Sequence, residues 1–116
     1  MQFNEVTPPR LFTVGSNSKI DLAHVANCRL ASDEVLTFFG PLDQEYDLVA
    51  KEWGFYATPS INSRLASFGI MTALAEGVEG KQYVHLVYKE KVEQYKKYCK
   101  EQDINITTWL YNETLI

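Results

Sequence analysis

The chain has 116 residues, a formal net charge of −4 at pH 7, and 46% hydrophobic and 22% charged residues. This length predicts a single domain, and the composition is that of an ordinary globular protein. The acidic balance excludes the basic surface that nucleic-acid binding requires, and no stretch reaches the roughly 20 apolar residues of a membrane span. The first residues lack the basic start and apolar core of a signal peptide. We therefore expect a cytoplasmic protein without nucleic-acid or membrane partners.

The first third of the sequence predicts a leader and then strands. Residues 1–9 are polar and end in two prolines, which resist both a helix and a central strand, so we predict a flexible leader before a single domain over residues 10–116. Runs with β-strand character follow at 10–15, 19–25 and 27–31. A hairpin is predicted next, because Gly40-Pro41, a residue pair typical of hairpin loops, lies between VLTFF (35–39) and EYDLVAKEW (45–53).

The stretch WGFYATPSINSRL (53–65) predicts a corner between a strand and a helix. Thr58 is a residue type that caps helices, and Pro59 fits the first helical position. Ile61, Leu65 and Phe68 then recur at helical spacing. We therefore predict a short helix near 59–68.

The second half of the chain predicts a hairpin, a helix and a final strand. IMTALAE (70–76) and KQYVHLVYK (81–89) are joined by GVEG, and YVHLVY is apolar on both faces, which is typical of a central strand. An apolar stripe of Val92, Tyr95 and Cys99 predicts an amphipathic helix near 90–102. The strand INITTWL (104–110) would complete a crossover unit. The predicted fold is α+β, with a mixed, mostly antiparallel sheet.

Residues suited to enzyme chemistry are present without the spacing that chemistry requires. No glycine-rich phosphate loop and no metal-ligand spacing occurs. His24 and His85 lie in predicted strands, and Ser60 would need one of them as its base, whereas a capping role explains Ser60 better. The acidic residues Asp33, Glu34, Glu45 and Asp47 flank a hairpin and are expected to be solvated. We therefore predict no catalytic residue, metal or cofactor, and two reduced cysteines.

The candidate binding residues all come from the 51–64 corner. Their cations, aromatic rings and polar groups suit three interpretations: a structural corner, a protein interface in which Trp, Tyr and Arg are the usual anchors, or a small-ligand site. In the structural interpretation, Arg64 would pair with Glu45, Asp47 or Glu52. The candidate residues are Lys51, Trp53, Tyr56, Ser60, Asn62 and Arg64.

The same corner resembles a known protein family. KEWGFYATPSINSRLASFG, together with DEVLTF (33–38), EYDLVAK (45–51) and YVHLVYKE (83–90), resembles the signature of small bacterial proteins of about this length. The likeness covers about two thirds of the chain, although Ser63 stands where such proteins are expected to have Gly. The resemblance implies an association with gene sets for surface polysaccharides and sialic-acid-like sugars, and it implies no reaction, cofactor or catalytic residue.

These observations predict a non-catalytic accessory or protein-interaction domain, linked to bacterial glycan precursor synthesis and anchored by Trp53, Tyr56 and Arg64. The alternative is a sugar- or nucleotide-sugar-binding protein or small enzyme with its pocket at the same corner. A third hypothesis is a homo-oligomer formed through an exposed strand edge. An interaction domain predicts exposed aromatic residues, a ligand protein predicts a cleft, and a structural corner predicts buried aromatic residues.

Overall fold

The computed structural model describes residues 1–111, in which eight strands form three antiparallel sheets. With one longer helix and one short one, this confirms the predicted α+β class. The single mixed sheet that was predicted is instead three separate sheets, in which every pair of neighbouring strands is antiparallel. The described residues divide into two compact units, one of residues 1–14 and 20–59 and the other of residues 15–19 and 60–111. A single domain over residues 10–116 stays a prediction, and its last five positions lie outside the described residues.

A two-stranded ribbon opens the first unit. Strands β1 (Gln2–Val14) and β2 (Ile20–Arg29) pair antiparallel, with a register shift between Glu5 and Arg10. Residues 1–9 were predicted as a flexible leader, but all except the first belong to β1. Both prolines lie in the stretch where the register shifts, and an irregular stretch tolerates residues that cannot donate to a ladder. No residue of either ribbon strand is buried.

A three-stranded sheet completes the first unit. Strands β3 (Val35–Phe39), β4 (Glu45–Lys51) and β5 (Gly54–Ala57) lie in the order β3-β4-β5, all antiparallel. The predicted hairpin at residues 40–44 forms, and the Gly40 N–H donates to the Gln44 carbonyl at 2.7 Å. The central strand contributes the buried apolar residues Val49 and Ala50. It ends at residue 51 rather than 53, because the chain turns there into β5.

The sheet of the second unit places β6 at its centre. Strands β6 (Ile70–Glu76), β7 (Gln82–Tyr88) and β8 (Asn105–Trp109) lie in the order β7-β6-β8. The prediction that residues 83–88 form a central strand is therefore wrong. β6 is central, and its residues Ala73 and Ala75 are at most 1% exposed. Because these buried residues are alanines, a prediction based on large apolar residues did not identify β6 as the central strand.

The helices of the second unit differ in how well the sequence predicts them. Helix α2 (Val92–Glu101) follows a 3-10 turn (Lys89–Lys91) and lies close to its predicted span of 90–102. Helix α1 (Arg64–Ser67) is a single turn, much shorter than the predicted 59–68. Because β7 and β8 are both antiparallel to β6, α2 connects two parallel strands that have β6 between them. Among residues 1–111, no helix is long and apolar enough to cross a membrane.

Candidate functional site

A tight hairpin between β4 and β5 presents the aromatic residues of the candidate site. Lys51 pairs with Gly54, so only Glu52 and Trp53 connect the two strands. Gly54 has a φ of +147°, a backbone conformation that residues with a Cβ rarely adopt. The glycine within WGFYA therefore makes a sharp reversal possible and leaves Trp53 at the tip of the hairpin.

Three aromatic side chains on this hairpin face solvent. Trp53 and Phe55 are each 70% exposed, and Tyr56 is 44% exposed. The Trp53 and Tyr56 rings stack, with centroids 6.0 Å apart and planes 16° from parallel. Phe55 and Tyr56 are successive strand residues and point to opposite faces of the sheet. We call Trp53, Phe55 and Tyr56 the aromatic corner.

The sheet that carries the aromatic corner has one face made only of apolar and aromatic residues. Residues directly opposite in an antiparallel sheet share a face, and the registers place Phe55 on the same face as Phe38, which is 51% exposed. Partial burial raises the pKa of the Tyr46 hydroxyl on this face. The apolar face consists of Leu36, Phe38, Tyr46, Leu48, Ala50, Phe55 and Ala57.

Lys51 belongs to an ion pair at the base of the hairpin. Its ammonium group donates a hydrogen bond to Asp33 Oδ1. This bond and the charge of Asp33 raise the pKa of Lys51. The Asp33 N–H also donates to the Ala50 carbonyl at 2.7 Å. The lysine thus links β4 to the segment before β3.

A buried carboxylate holds the other side of the sheet together. Asp47 is 8% exposed and accepts hydrogen bonds from the Thr37 hydroxyl at 2.5 Å and the Thr58 hydroxyl at 3.0 Å. The Thr58 N–H donates to the Asp47 carbonyl at 3.0 Å. Thr58 was predicted to begin a helix, but in the structure it bonds to β4, and α1 begins six residues later. Asp47 was expected to be solvated, and this expectation is wrong.

Ser60, Asn62 and Arg64 belong to the second unit, in the turn that leads into α1. The Arg64 N–H donates to Ser60 Oγ at 3.3 Å, and the Leu65 N–H donates to the Ser60 carbonyl at 3.0 Å. Ser60 and Asn62 are exposed, whereas Arg64 is half-buried. The six predicted residues are therefore divided between the units. The contacts described among these six residues are the ring stacking of Trp53 on Tyr56 in the first unit and the hydrogen bond from Arg64 to Ser60 in the second.

The histidines make hydrogen bonds inside their own units. His24 Nε2 lies 3.0 Å from the Ala26 carbonyl oxygen, and His85 Nδ1 lies 2.7 Å from the Tyr95 hydroxyl. Tyr83 stacks on His85 with planes 10° from parallel. Burial lowers the pKa of His85 and raises that of Tyr95, so it favours the neutral form of both groups. Residues 1–111 contain no cluster of three or more side chains that could hold a metal ion.

The sequence analysis named Trp53 and Tyr56 as candidate residues but did not predict the hairpin and the apolar face that surround them. Phe55 and the apolar face were not proposed, although the alternation Tyr46, Leu48, Ala50 was a signal for the face. The hairpin at Lys51 and Gly54 was also missed, since a two-residue connection leaves little trace in a continuous strand-like run. No protein-family model, curated protein or solved structure matches the chain.

Proposed function

We propose that the protein is a non-catalytic accessory domain that binds a partner protein through the aromatic corner. The observation that carries this proposal is the exposure of Trp53 and Phe55, 70% each, on a two-residue hairpin. Trp and Tyr are the residues that most often anchor protein interfaces, because they combine large apolar area with a polar group. A core role would require these side chains to be covered.

The hairpin also holds the anchors in place before binding. Stacking against Tyr56 restricts the Trp53 side chain, and the ion pair of Lys51 with Asp33 fixes the strand that leads into the turn. An ordered side chain loses less conformational entropy on binding than a free one. The apolar face lies on the Phe55 side of the sheet, opposite to Tyr56, so it adds contact area for a partner that also covers Phe55. This arrangement supports a preformed contact surface.

The resemblance to bacterial proteins of sugar gene sets suggests which partner to test first. An enzyme of glycan precursor synthesis in the cytoplasm is the partner class we propose. Its surface should offer an apolar pocket for Trp53, bordered by groups that tolerate the acidic charge of this chain.

Affinity capture tests this proposal. Three tagged proteins are incubated with lysate of the native host: the wild type, a Trp53→Ala/Phe55→Ala variant and a Leu42→Ala control. The proteins that bind to each are quantified by mass spectrometry. Leu42 is 76% exposed and lies outside the aromatic corner, in the loop between β3 and β4. A partner retained by wild type and control but lost by the folded double variant supports the proposal. Equal retention by all three refutes it.

A sugar or nucleotide sugar is the alternative ligand, favoured by the near-parallel Trp53 and Tyr56 rings. These two exposed rings have planes 16° from parallel, and a planar or ring-shaped ligand can stack on an exposed ring face. Saturation-transfer NMR with nucleotide sugars would report such stacking. Signals that disappear in Trp53→Ala but persist in Leu42→Ala would favour ligand binding, or a small enzyme, over a protein partner.

A further inference from the structure

Strand β7 has an open edge that lacks the usual protection. Its seven residues, QYVHLVY, include no formally charged residue and no proline. In the part of the chain that the structure describes, β7 pairs only with β6, so its other edge carries unpaired backbone groups. Val84 is 62% exposed and Leu86 is 40% exposed. Natural edge strands normally carry charges, prolines or bulges that prevent pairing with another chain.

The other edges of the three-stranded sheets are shorter or irregular. β8 has five residues and a register shift opposite Leu74 and Ala75, which interrupts a straight ladder. β3 has five residues and β5 has four. β7 pairs without irregularity over its full length, from Gln82 to Tyr88. It is therefore the best template for an added strand among these edges.

We propose that β7 pairs antiparallel with β7 of a second copy of this chain, about a two-fold axis at His85. In this register residue 84 of one copy lies opposite residue 86 of the other, and all seven residues are paired. The strand is complementary to itself: apolar Val84 meets apolar Leu86, and the pairing opposes no like charges within the strand. The two sheets would join into one sheet of six strands.

Pairing with a second copy of β7 explains the exposed apolar side chains of this strand better than pairing with an unrelated peptide does. Val84 and Leu86 share a face with Tyr88, so the two-fold axis brings a matching apolar stripe from each copy together. Just outside the paired stretch, Lys81 of one copy falls opposite Lys89 of the other, and these like charges confine the pairing to the seven strand residues and weaken it. The Lys89 N–H donates to the Gly69 carbonyl at 2.8 Å, and the chain enters a 3-10 turn there, which ends the open edge.

The size of the contact predicts a weak, concentration-dependent dimer. Seven strand residues extend only about 24 Å, and a single pair of strands buries less than the roughly 1,200 Å² at the lower end of stable interfaces. We therefore expect dissociation in the micromolar to millimolar range. This proposal does not depend on the aromatic corner, so Trp53→Ala should leave the dimer intact.

Sedimentation equilibrium of the full chain over a wide concentration range tests the proposal. The wild type should pass from monomer to dimer, and Val84→Lys should raise the dissociation constant at least about tenfold, since two-fold symmetry buries the new charge twice. Val35→Lys places a lysine on the β3 edge, at a position 54% exposed, and should have no effect. A monomer at all concentrations, or a dimer that only Val35→Lys disrupts, would overturn the proposal.

A cysteine experiment tests the register and does not depend on how Val84→Lys folds. In a Cys28→Ser background, Val84→Cys and Leu86→Cys proteins are oxidised separately and as a mixture. Directly opposite strand residues come within disulfide reach, whereas diagonal neighbours lie about 7–8 Å apart. The mixture should therefore form crosslinked dimers several-fold faster than either protein alone. Equal rates in all three samples would refute the two-fold register. Capture of a different protein by β7 would refute the proposal that a second copy of this chain pairs with the β7 edge.

Discussion

Replacing Trp53 by alanine measures how far the aromatic corner contributes to stability rather than to binding. A fully buried aromatic side chain covers about 150–250 Å². Trp53 is 70% exposed, so folding covers only about 45–75 Å² of it, which corresponds to roughly 1–2 kcal/mol at about 25 cal/mol per Å². Loss of the stacking on Tyr56 adds about 0.5 kcal/mol, the lower end for aromatic pairs, because both rings are largely exposed. Removal of a core tryptophan would cost about 3–5 kcal/mol.

Urea unfolding followed by far-ultraviolet circular dichroism measures this difference. Val49→Ala is the matched control, because Val49 lies in the same sheet and is 6% exposed. Deleting its two methyl groups should cost about 2–3 kcal/mol, including the cavity that remains. Val49→Ala should therefore destabilise the protein more than Trp53→Ala, although it deletes fewer atoms. A loss of 3 kcal/mol or more for Trp53→Ala, about the core value, would show that the corner is structural.

Two further predictions concern buried hydrogen bonds. Thr37→Val should lower the free energy of unfolding by about 1.5–3 kcal/mol, since it removes a donor from the buried Asp47 carboxylate. Thr13→Val removes a similar bond at an exposed site and should cost under about 0.5 kcal/mol. Equal losses for the two variants in urea unfolding would contradict this prediction. The free energy of unfolding should also decrease as the pH falls from about 7.5 to 5.5. Burial lowers the pKa of His85, so the unfolded chain takes up its proton first, near its ordinary pKa of about 6.5. His85→Gln should lose the bond to Tyr95 at every pH and show a shallower slope; an unchanged slope would contradict this assignment.

The sequence predicted several strands of this fold closely. IMTALAE and VLTFF were predicted with the bounds that β6 and β3 have in the structure, because turn residues such as Gly40 and Gly77 delimit them. Helix α2 was predicted within two residues from its apolar stripe. These elements follow from local signals alone, namely a periodicity and the residues that interrupt it.

Elements that depend on distant partners were not predicted. Thr58 has the chemistry of a helix cap, but it bonds to Asp47 in a neighbouring strand, and the sequence does not reveal that competition. The strand-like runs at 10–15, 19–25 and 27–31 correspond to the end of β1 and to β2, but residues 2–9 were missed as part of β1. Pro8 and Pro9 argue against a regular strand, whereas a register shift accommodates them. YVHLVY has the composition of a central strand and lies at an edge.

The candidate site was predicted by residue type and not by its geometry. Trp and Tyr suit a core and a binding surface equally well, so the sequence does not show whether these side chains are covered; in the structure Trp53 and Tyr56 are exposed. Lys51, which was proposed as a ligand contact, pairs with Asp33 in the structure, and the sequence does not show this because the two residues are 18 positions apart.

Photocrosslinking inside the cell tests the central claim most directly. A photoreactive phenylalanine derivative replaces Trp53 in one sample and Leu42, which is 76% exposed, in another. The interaction account predicts a discrete crosslinked protein from position 53 that is absent from position 42. Identical patterns from both positions, or no crosslinked protein from position 53, would contradict the claim that the aromatic corner binds a partner.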